Sequence, residues 1–144
     1  FALVGMMYDR LHTRDLREMG GLWVKAPVYG GIMVFSSMGA LGLPGLSGFV
    51  AEFMVVRGIF PVLPFFTALT AIAMLGLLFT GAYILKGIRK VLHGPLNQQW
   101  VGHLTEINAR EILVIAPLMA LMLWIGVWPA WILNVIDKAV MMLF

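Results

Sequence analysis

The 144-residue sequence contains no cysteine, and only 12% of its residues carry a charge. The lack of cysteine excludes disulfide bonds, thiolate metal sites and cysteine-ligated iron–sulfur clusters from this stretch of chain. Soluble domains carry roughly a quarter of charged residues. Together with the 61% of hydrophobic residues, the low charge therefore indicates a membrane protein. The sequence also lacks a recognisable phosphate loop, metal-ligand cluster, nucleophile constellation or dinucleotide fingerprint.

Two apolar runs are long enough to cross a bilayer without a single charge, Val62–Leu85 and Ile112–Leu133. About 20 apolar residues span the hydrocarbon core. Neither run is a signal peptide, because neither is N-terminal and both are too long for the apolar core of such a signal. The opening Phe1–Tyr8 is a half-length apolar stretch without an initiator methionine, which predicts the end of a helix that begins outside this sequence. We expect an all-α polytopic membrane protein.

Alternation of apolar and polar composition divides the chain into segments of a single membrane domain. Gly94-Pro95 is a helix stop signal, Thr105–Asn108 is a helix start signal, and tryptophans near the end of the last run resemble an aromatic belt. We predict the end of a transmembrane helix at residues 1–8, a polar loop at 9–25, an apolar segment at 26–60, a transmembrane helix at 62–90, a second polar loop at 91–110, a transmembrane helix at 111–133 and an interfacial tail at 134–144.

The apolar segment Ala26–Phe60 is too long for one straight span, since it would be roughly 50 Å long at about 1.5 Å per residue. It is either two short spans joined at Leu-Pro-Gly or one span of two half-helices with a break at Gly42–Gly48. Four of the ten Lys and Arg residues lie between Arg10 and Lys25, and four lie between Lys86 and Arg110. The positive-inside tendency places both groups on the cytoplasmic side, which requires an even number of spans between them. This favours the broken span.

The predicted break, GLPGLSG, carries Gly42, Pro44, Gly45 and Gly48, and Glu52 follows about one turn later. Backbone groups freed at a break in a membrane must be satisfied by protein or trapped water, an arrangement often found around ion sites. A charged carboxylate at such depth costs at least a few kcal/mol, so it should face the protein interior, find partners or stay protonated. We interpret Glu52 as a proton-transfer residue.

Purely structural alternatives exist for each of these residues. The break is compatible with a bent structural helix, and Glu52 with a hydrogen-bonded glutamate paired with Arg57. Arg57 is five residues further on and poorly placed on the same helix face, so we expect it to reach the outer interface instead. Lys86 is a candidate secondary proton-path residue, although its position beside a basic loop favours an interface anchor.

Three stretches carry a family resemblance. YDRLHTRDLREMGGLW (Tyr8–Trp23) and GLPGLSGFVAEF (Gly42–Phe53) closely resemble the antiporter-like membrane subunits of proton-pumping NADH–quinone oxidoreductase, respiratory complex I. The closing LWIGVWPAWILNV is similar but less specific. The likeness covers nearly the whole sequence. By this resemblance, a glutamate at position 52 is typical of the chain M branch of the family, whereas the sister subunits and the cation–proton antiporters usually carry lysine there.

The resemblance implies a fourteen-helix subunit built from two inverted repeats, each with one broken helix. This chain would supply the C-terminal transmembrane helices, with Ala26–Phe60 as the twelfth. Glu52 would be the proton-transfer residue of that broken helix, and key residues on earlier helices lie outside this sequence. The resemblance also implies that the loops after the eleventh and thirteenth helices are cytoplasmic, in agreement with the charges.

The resemblance further implies a place in a redox complex. The chain itself is expected to hold no cofactor or metal, with FMN, iron–sulfur clusters and quinone in other subunits. Expected partners are the other membrane subunits of complex I, especially neighbouring antiporter-like ones, and the lipid of a bacterial cytoplasmic membrane; no nucleic acid is expected. Two alternatives remain: a subunit of a multi-subunit cation–proton antiporter, and a structural scaffold in which Glu52 could be replaced by leucine without consequence.

Overall fold

The computed structural model describes residues 1–60 and 64–143, and its regular structure there is entirely helical, which confirms the all-α prediction. This part of the chain also contains a single 3-10 turn, Gln98–Trp100. The α-helices are, in chain order, α1 Ala2–Leu11, α2 Leu22–Lys25, α3 Pro27–Ala40, α4 Ser47–Ile59, α5 Pro64–Leu92, α6 Ala109–Val127 and α7 Ala130–Met141.

Two of these helices are long and apolar enough to cross a membrane. They cover Phe65–Leu92 and Ala109–Val127, with mean hydropathies of 2.0 and 1.9, and most of their side chains are exposed. The first corresponds to the predicted span at 62–90, whose first two residues, 62 and 63, lie outside the described part of the chain together with residue 61. The connection between the predicted segments at 26–60 and 62–90 therefore falls on residues outside the described part, and Phe144 also lies outside it.

The predicted loop at 9–25 is shorter than expected, because helices extend into it from both sides. α1 continues to Leu11 and ends where His12 adopts a left-handed conformation, with φ 52° and its N–H bonded to the Tyr8 carbonyl at 2.7 Å. At the other end α2 occupies Leu22–Lys25, directly after Gly21 with φ 64°. Both ends follow from residues that turn the chain sharply.

The second predicted loop, 91–110, is also trimmed by helix at both ends. α5 continues to Leu92 before Gly94, with φ 103°, turns the chain, so the predicted stop lies two residues beyond the helix end. α6 begins at Ala109 behind Asn108, whose backbone N–H donates to the Glu111 carboxylate at 2.7 Å. This is half of a capping box, in which the third helical residue reaches back to the N-cap.

The predicted helix at 111–133 does not continue to its end. α6 stops at Val127, and Trp128 leaves the helical conformation with φ −131° and ψ 72° because Pro129 follows it. The chain then starts α7, which absorbs most of the predicted interfacial tail at 134–144. The rings of Trp124 and Trp131 face each other across this bend, with centroids 5.5 Å apart.

The buried core lies at the end of the molecule that carries the basic loops. It joins the end of α1, the start of α3, the end of α5 and the connection before α6. Its members are Met7, Leu11, Leu22, Ala26, Tyr29, Ile88, Val91, Leu92, Leu104 and Ile107. This core anchors one end of α3, and the other end of α3 leads to the helix break.

Candidate functional site

The candidate site is the break between α3 and α4, residues 41–46, which overlaps the predicted range but begins one residue earlier and ends two residues earlier, so that Gly48 lies in the first turn of α4. Gly42 and Gly45 have φ of 69° and 93°, a left-handed region that L side chains rarely adopt. The turn partly satisfies its own backbone: the N–H of Leu43 donates to the Met38 carbonyl at 3.2 Å, and that of Leu46 to the Leu43 carbonyl at 3.1 Å. The backbone conformation therefore favours glycine at Gly42 and Gly45, two of the four positions that the sequence singled out.

Glu52 turns its carboxylate back onto the break. A Cβ atom built on Gly42 would lie 2.9 Å from the Glu52 Cδ atom, 3.3 Å from Oε1 and closer still to Oε2. The carboxylate thus occupies the space that any side chain at position 42 would need. The side chain of Glu52 is half-buried, and it lies on the second turn of α4. The structure brings together the two features that the sequence analysis linked.

Close backbone contacts hold the two half-helices and α6 against one another. A Cβ atom on Gly48 would lie 3.3 Å from the carbonyl carbon of Gly39 and 3.5 Å from the Cα atom of Gly42. A Cβ atom on Gly126 of α6 would lie 2.5 Å from the Gly45 carbonyl carbon. These close approaches are possible because Gly48 and Gly126 have no side chain. Sequence reasoning missed Gly39 and Gly126, since a glycine in an apolar run does not reveal which backbone it meets.

A groove of about 300 Å³ lies beside Glu52, between α4 and α5. It is lined by Ala51, Glu52, Val55, Val56, Ala73, Met74 and Leu77. Glu52 is the one ionisable side chain among these lining residues. The carboxylate therefore has the break on one side and an apolar groove on the other.

The other predicted residues lie away from this groove. Pro44 is exposed in the break, and because proline has no backbone N–H it leaves no donor there without a partner. Lys86 is exposed on α5 and lies nine residues beyond Leu77, or about 13 Å along the helix. Arg57 is exposed, and among the described residues no ion pair joins it to Glu52. The structure thus groups Gly42, Gly48 and Glu52 but does not bring Lys86 to them.

Comparison with known proteins identifies similar chains. The family model described as NADH:quinone oxidoreductase/Mrp antiporter, transmembrane, matches residues 1–80. A protein of Rickettsia conorii named NADH-quinone oxidoreductase subunit M is 37% identical over 140 residues, which cover 97% of this chain and 28% of that protein. Proteins of the same name from Rhodobacter capsulatus and Pseudomonas aeruginosa are each 38% identical, over 97% and 94% of this chain and 27% and 26% of their own lengths. The chain spans little more than a quarter of the length of these relatives.

Proposed function

Because this chain belongs to the NADH:quinone oxidoreductase/Mrp antiporter transmembrane family, we propose that it is part of a proton-translocating membrane subunit of an NADH–quinone oxidoreductase. The chain is an integral membrane protein. The contact between the Glu52 carboxylate and Gly42 carries the proposal, because it places an ionisable group on a helix break within an otherwise apolar segment. The names of the similar proteins support the redox complex.

In the proposed mechanism Glu52 takes up and releases a proton at its carboxylate oxygens. The glycines of the break let the backbone approach that carboxylate closely, and the groove on its other side is lined by apolar side chains. Quinone reduction in other subunits would change the charge of groups near Glu52 and so shift its protonation. Lys86 remains a proposed secondary proton-path residue on α5.

Redox chemistry is assigned to other subunits of the complex. We propose that FMN, iron–sulfur clusters and quinone bind there, and that neighbouring antiporter-like subunits and lipid surround this chain. The absence of cysteine in these 144 residues supports that assignment for the clusters. The absorbance spectrum of the purified full-length chain, expected to show no flavin or haem band, tests it.

Inverted membrane vesicles distinguish the proposed function from the alternative, a cation–proton antiporter powered by an ion gradient. Vesicles that contain the full-length chain should acidify when NADH is added, and a quinone-site inhibitor should prevent this. Addition of Na⁺ or K⁺ without NADH should leave the internal pH unchanged, whereas an antiporter would release protons. A cation-driven proton flux that requires this chain, with no NADH-driven flux, would contradict the redox function.

We also propose that the chain lies in a bacterial cytoplasmic membrane with both basic loops inside. Single cysteines at Leu16 and Gly102 should then react with an impermeant maleimide only in inside-out vesicles, and a cysteine at Phe60 only in intact cells. A Cβ atom added at Gly102 would meet nothing within 4 Å, and the side chains of Leu16 and Phe60 are exposed. Labelling of the two loops from opposite sides would show that residues 26–60 cross the membrane twice.

A further inference from the structure

A polar cluster formed by Arg10, Glu106 and Glu111 joins the end of α1 and the start of α3 to the beginning of α6. The Arg10 guanidinium donates to both Glu111 carboxylate oxygens, from Nη1 at 3.0 Å and from Nη2 at 2.7 Å. Nη2 also donates to the Glu106 carbonyl at 3.3 Å. The ion pair is largely shielded, with 11% and 23% of the two side chains exposed. Bidentate arginine–carboxylate pairs of this kind are strong and geometrically specific.

The Glu106 carboxylate caps the first half-helix of the broken span. Its two oxygens accept hydrogen bonds from the backbone N–H groups of Val28 at 3.0 Å and Tyr29 at 3.1 Å, in the first turn of α3. The residue before α3, Ala26, has no side chain that could do this. A carboxylate at a helix N-terminus satisfies free donors and interacts favourably with the helix dipole. α3 is therefore capped by a residue 77 positions away in the chain.

α3 and α6 both start at this cluster and both lead to the break. Arg10 holds α6 through Glu111, in its first turn, while Glu106 holds α3. At the far end a Cβ atom on Gly39 would lie 3.0 Å from Cε of Met122, and Gly126 lies against Gly45. Gly39 is about 18 Å from the start of α3 at about 1.5 Å per residue. The two helices thus start at the same cluster, run in the same direction and meet again through Met122, while α4 is the helix that packs most extensively against α6. Their relative register is fixed at the end where the cluster lies.

We propose that Arg10, Glu106 and Glu111 are positioning residues for Glu52, acting through the register of α3 against α6. A shift of α3 along α6 would move Gly42, against which the Glu52 carboxylate lies, relative to Gly45, which α6 contacts. α3 transmits such a shift because it is a continuous hydrogen-bonded helix from the cluster to the break, with proline only at its first residue. α6 is helical over the same distance, although Pro117 in its interior lacks the N–H of one ladder bond. The expected effect on proton pumping rests on the proposed function, whereas the expected effect of the cluster on the conformation of the break does not.

The experiment replaces Glu106 by alanine in the full-length chain of the assembled complex and measures two quantities. The first is backbone hydrogen exchange of residues 41–46, a remote readout that does not depend on pumping. The second is the number of protons moved per NADH oxidised, compared with the rate of quinone reduction. We expect exchange at the break to accelerate several-fold and the proton yield to fall, while quinone reduction continues.

Matched variants distinguish a specific effect of the cluster on the break from a general loss of stability. Glu106→Gln keeps one acceptor oxygen for the first turn of α3 and should give a smaller change in both readouts. Arg10→Lys loses the two parallel hydrogen bonds to Glu111 and should resemble Glu106→Ala. Asp15→Ala removes an exposed loop carboxylate that accepts only from a nearby backbone, that of Arg17, and should change neither readout. If Glu106→Ala fails to assemble, Glu106→Gln carries the same test.

Exchange that accelerates only around residues 26–30, with the break at the wild-type rate, would overturn the proposal. Faster exchange at the break with an unchanged proton yield would also overturn the positioning role. Failure of the proposed function has a different signature: Glu52→Gln would then pump normally even though the cluster variants still loosen the break.

Discussion

Replacement of Glu52 by glutamine is expected to reduce proton translocation several-fold while the broken span stays folded. Glutamine has nearly the same size, so it fits the space beside Gly42 and the groove between α4 and α5. It cannot take up or release a proton at working pH. The measurement is proton movement alongside NADH-dependent quinone reduction, in membranes with a normal amount of assembled complex.

Further substitutions at position 52 separate titration from packing. Aspartate should retain part of the activity, because it keeps the carboxyl group on a shorter side chain. Lysine is also expected to retain some, since it titrates and is the residue usual in the sister subunits by resemblance. Glu18→Gln makes the same chemical change on an exposed loop and serves as the control. If Glu52→Gln, or the nontitratable Glu52→Leu, pumps at the wild-type rate, the carboxylate is structural and the site assignment is wrong.

The helix break between α3 and α4 could be predicted from sequence because its causes are local. Leu-Pro-Gly between apolar stretches marks a helix break, and Gly42 and Gly45 do adopt the conformations that glycine permits. Loop charges then favoured one span with a break over two spans, a choice that the labelling experiment tests. The position of Glu52 about one turn into the second half-helix was sufficient to place its carboxylate near the break.

Hydropathy did not reveal the bend between α6 and α7. The run Ile112–Leu133 is uniformly apolar, and an apolar run has the same composition whether the helix continues or turns. The signal that was present is Pro129, which disfavours the helical conformation at Trp128. A local rule for proline would thus have predicted the helix end better than a window of hydropathy.

The polar cluster and the glycine contacts on α6 could not be predicted, because they join residues far apart in the chain. Arg10 and Glu111 are separated by 101 positions, and each lies in or beside a polar segment where a solvated charge is the usual expectation. Likewise, nothing near Gly126 indicates that it meets Gly45. Such pairings depend on the relative placement of helices, which a single sequence does not contain.

Replacement of Gly42 by alanine is expected to impair proton translocation nearly as much as the loss of Glu52. The added Cβ would lie 2.9 Å from the Glu52 Cδ atom and closer to Oε2, so the carboxylate must move away from the break. The φ of 69° adds strain of about 1–2 kcal/mol for a residue with a side chain. Proton yield and quinone reduction are measured as for the Glu52 variants.

Gly45→Ala is the matched control for that prediction, because it carries the strain without the clash. Gly45 has φ 93°, yet a Cβ atom there would meet nothing within 4 Å. It should therefore lower the stability of the span while leaving the proton yield largely intact. The double variant Gly42→Ala with Glu52→Asp should recover part of the yield lost in Gly42→Ala, since a side chain shorter by one methylene leaves room for the new Cβ. Equal losses in Gly42→Ala and Gly45→Ala, without recovery in the double variant, would assign the effect to backbone strain rather than to the position of the carboxylate.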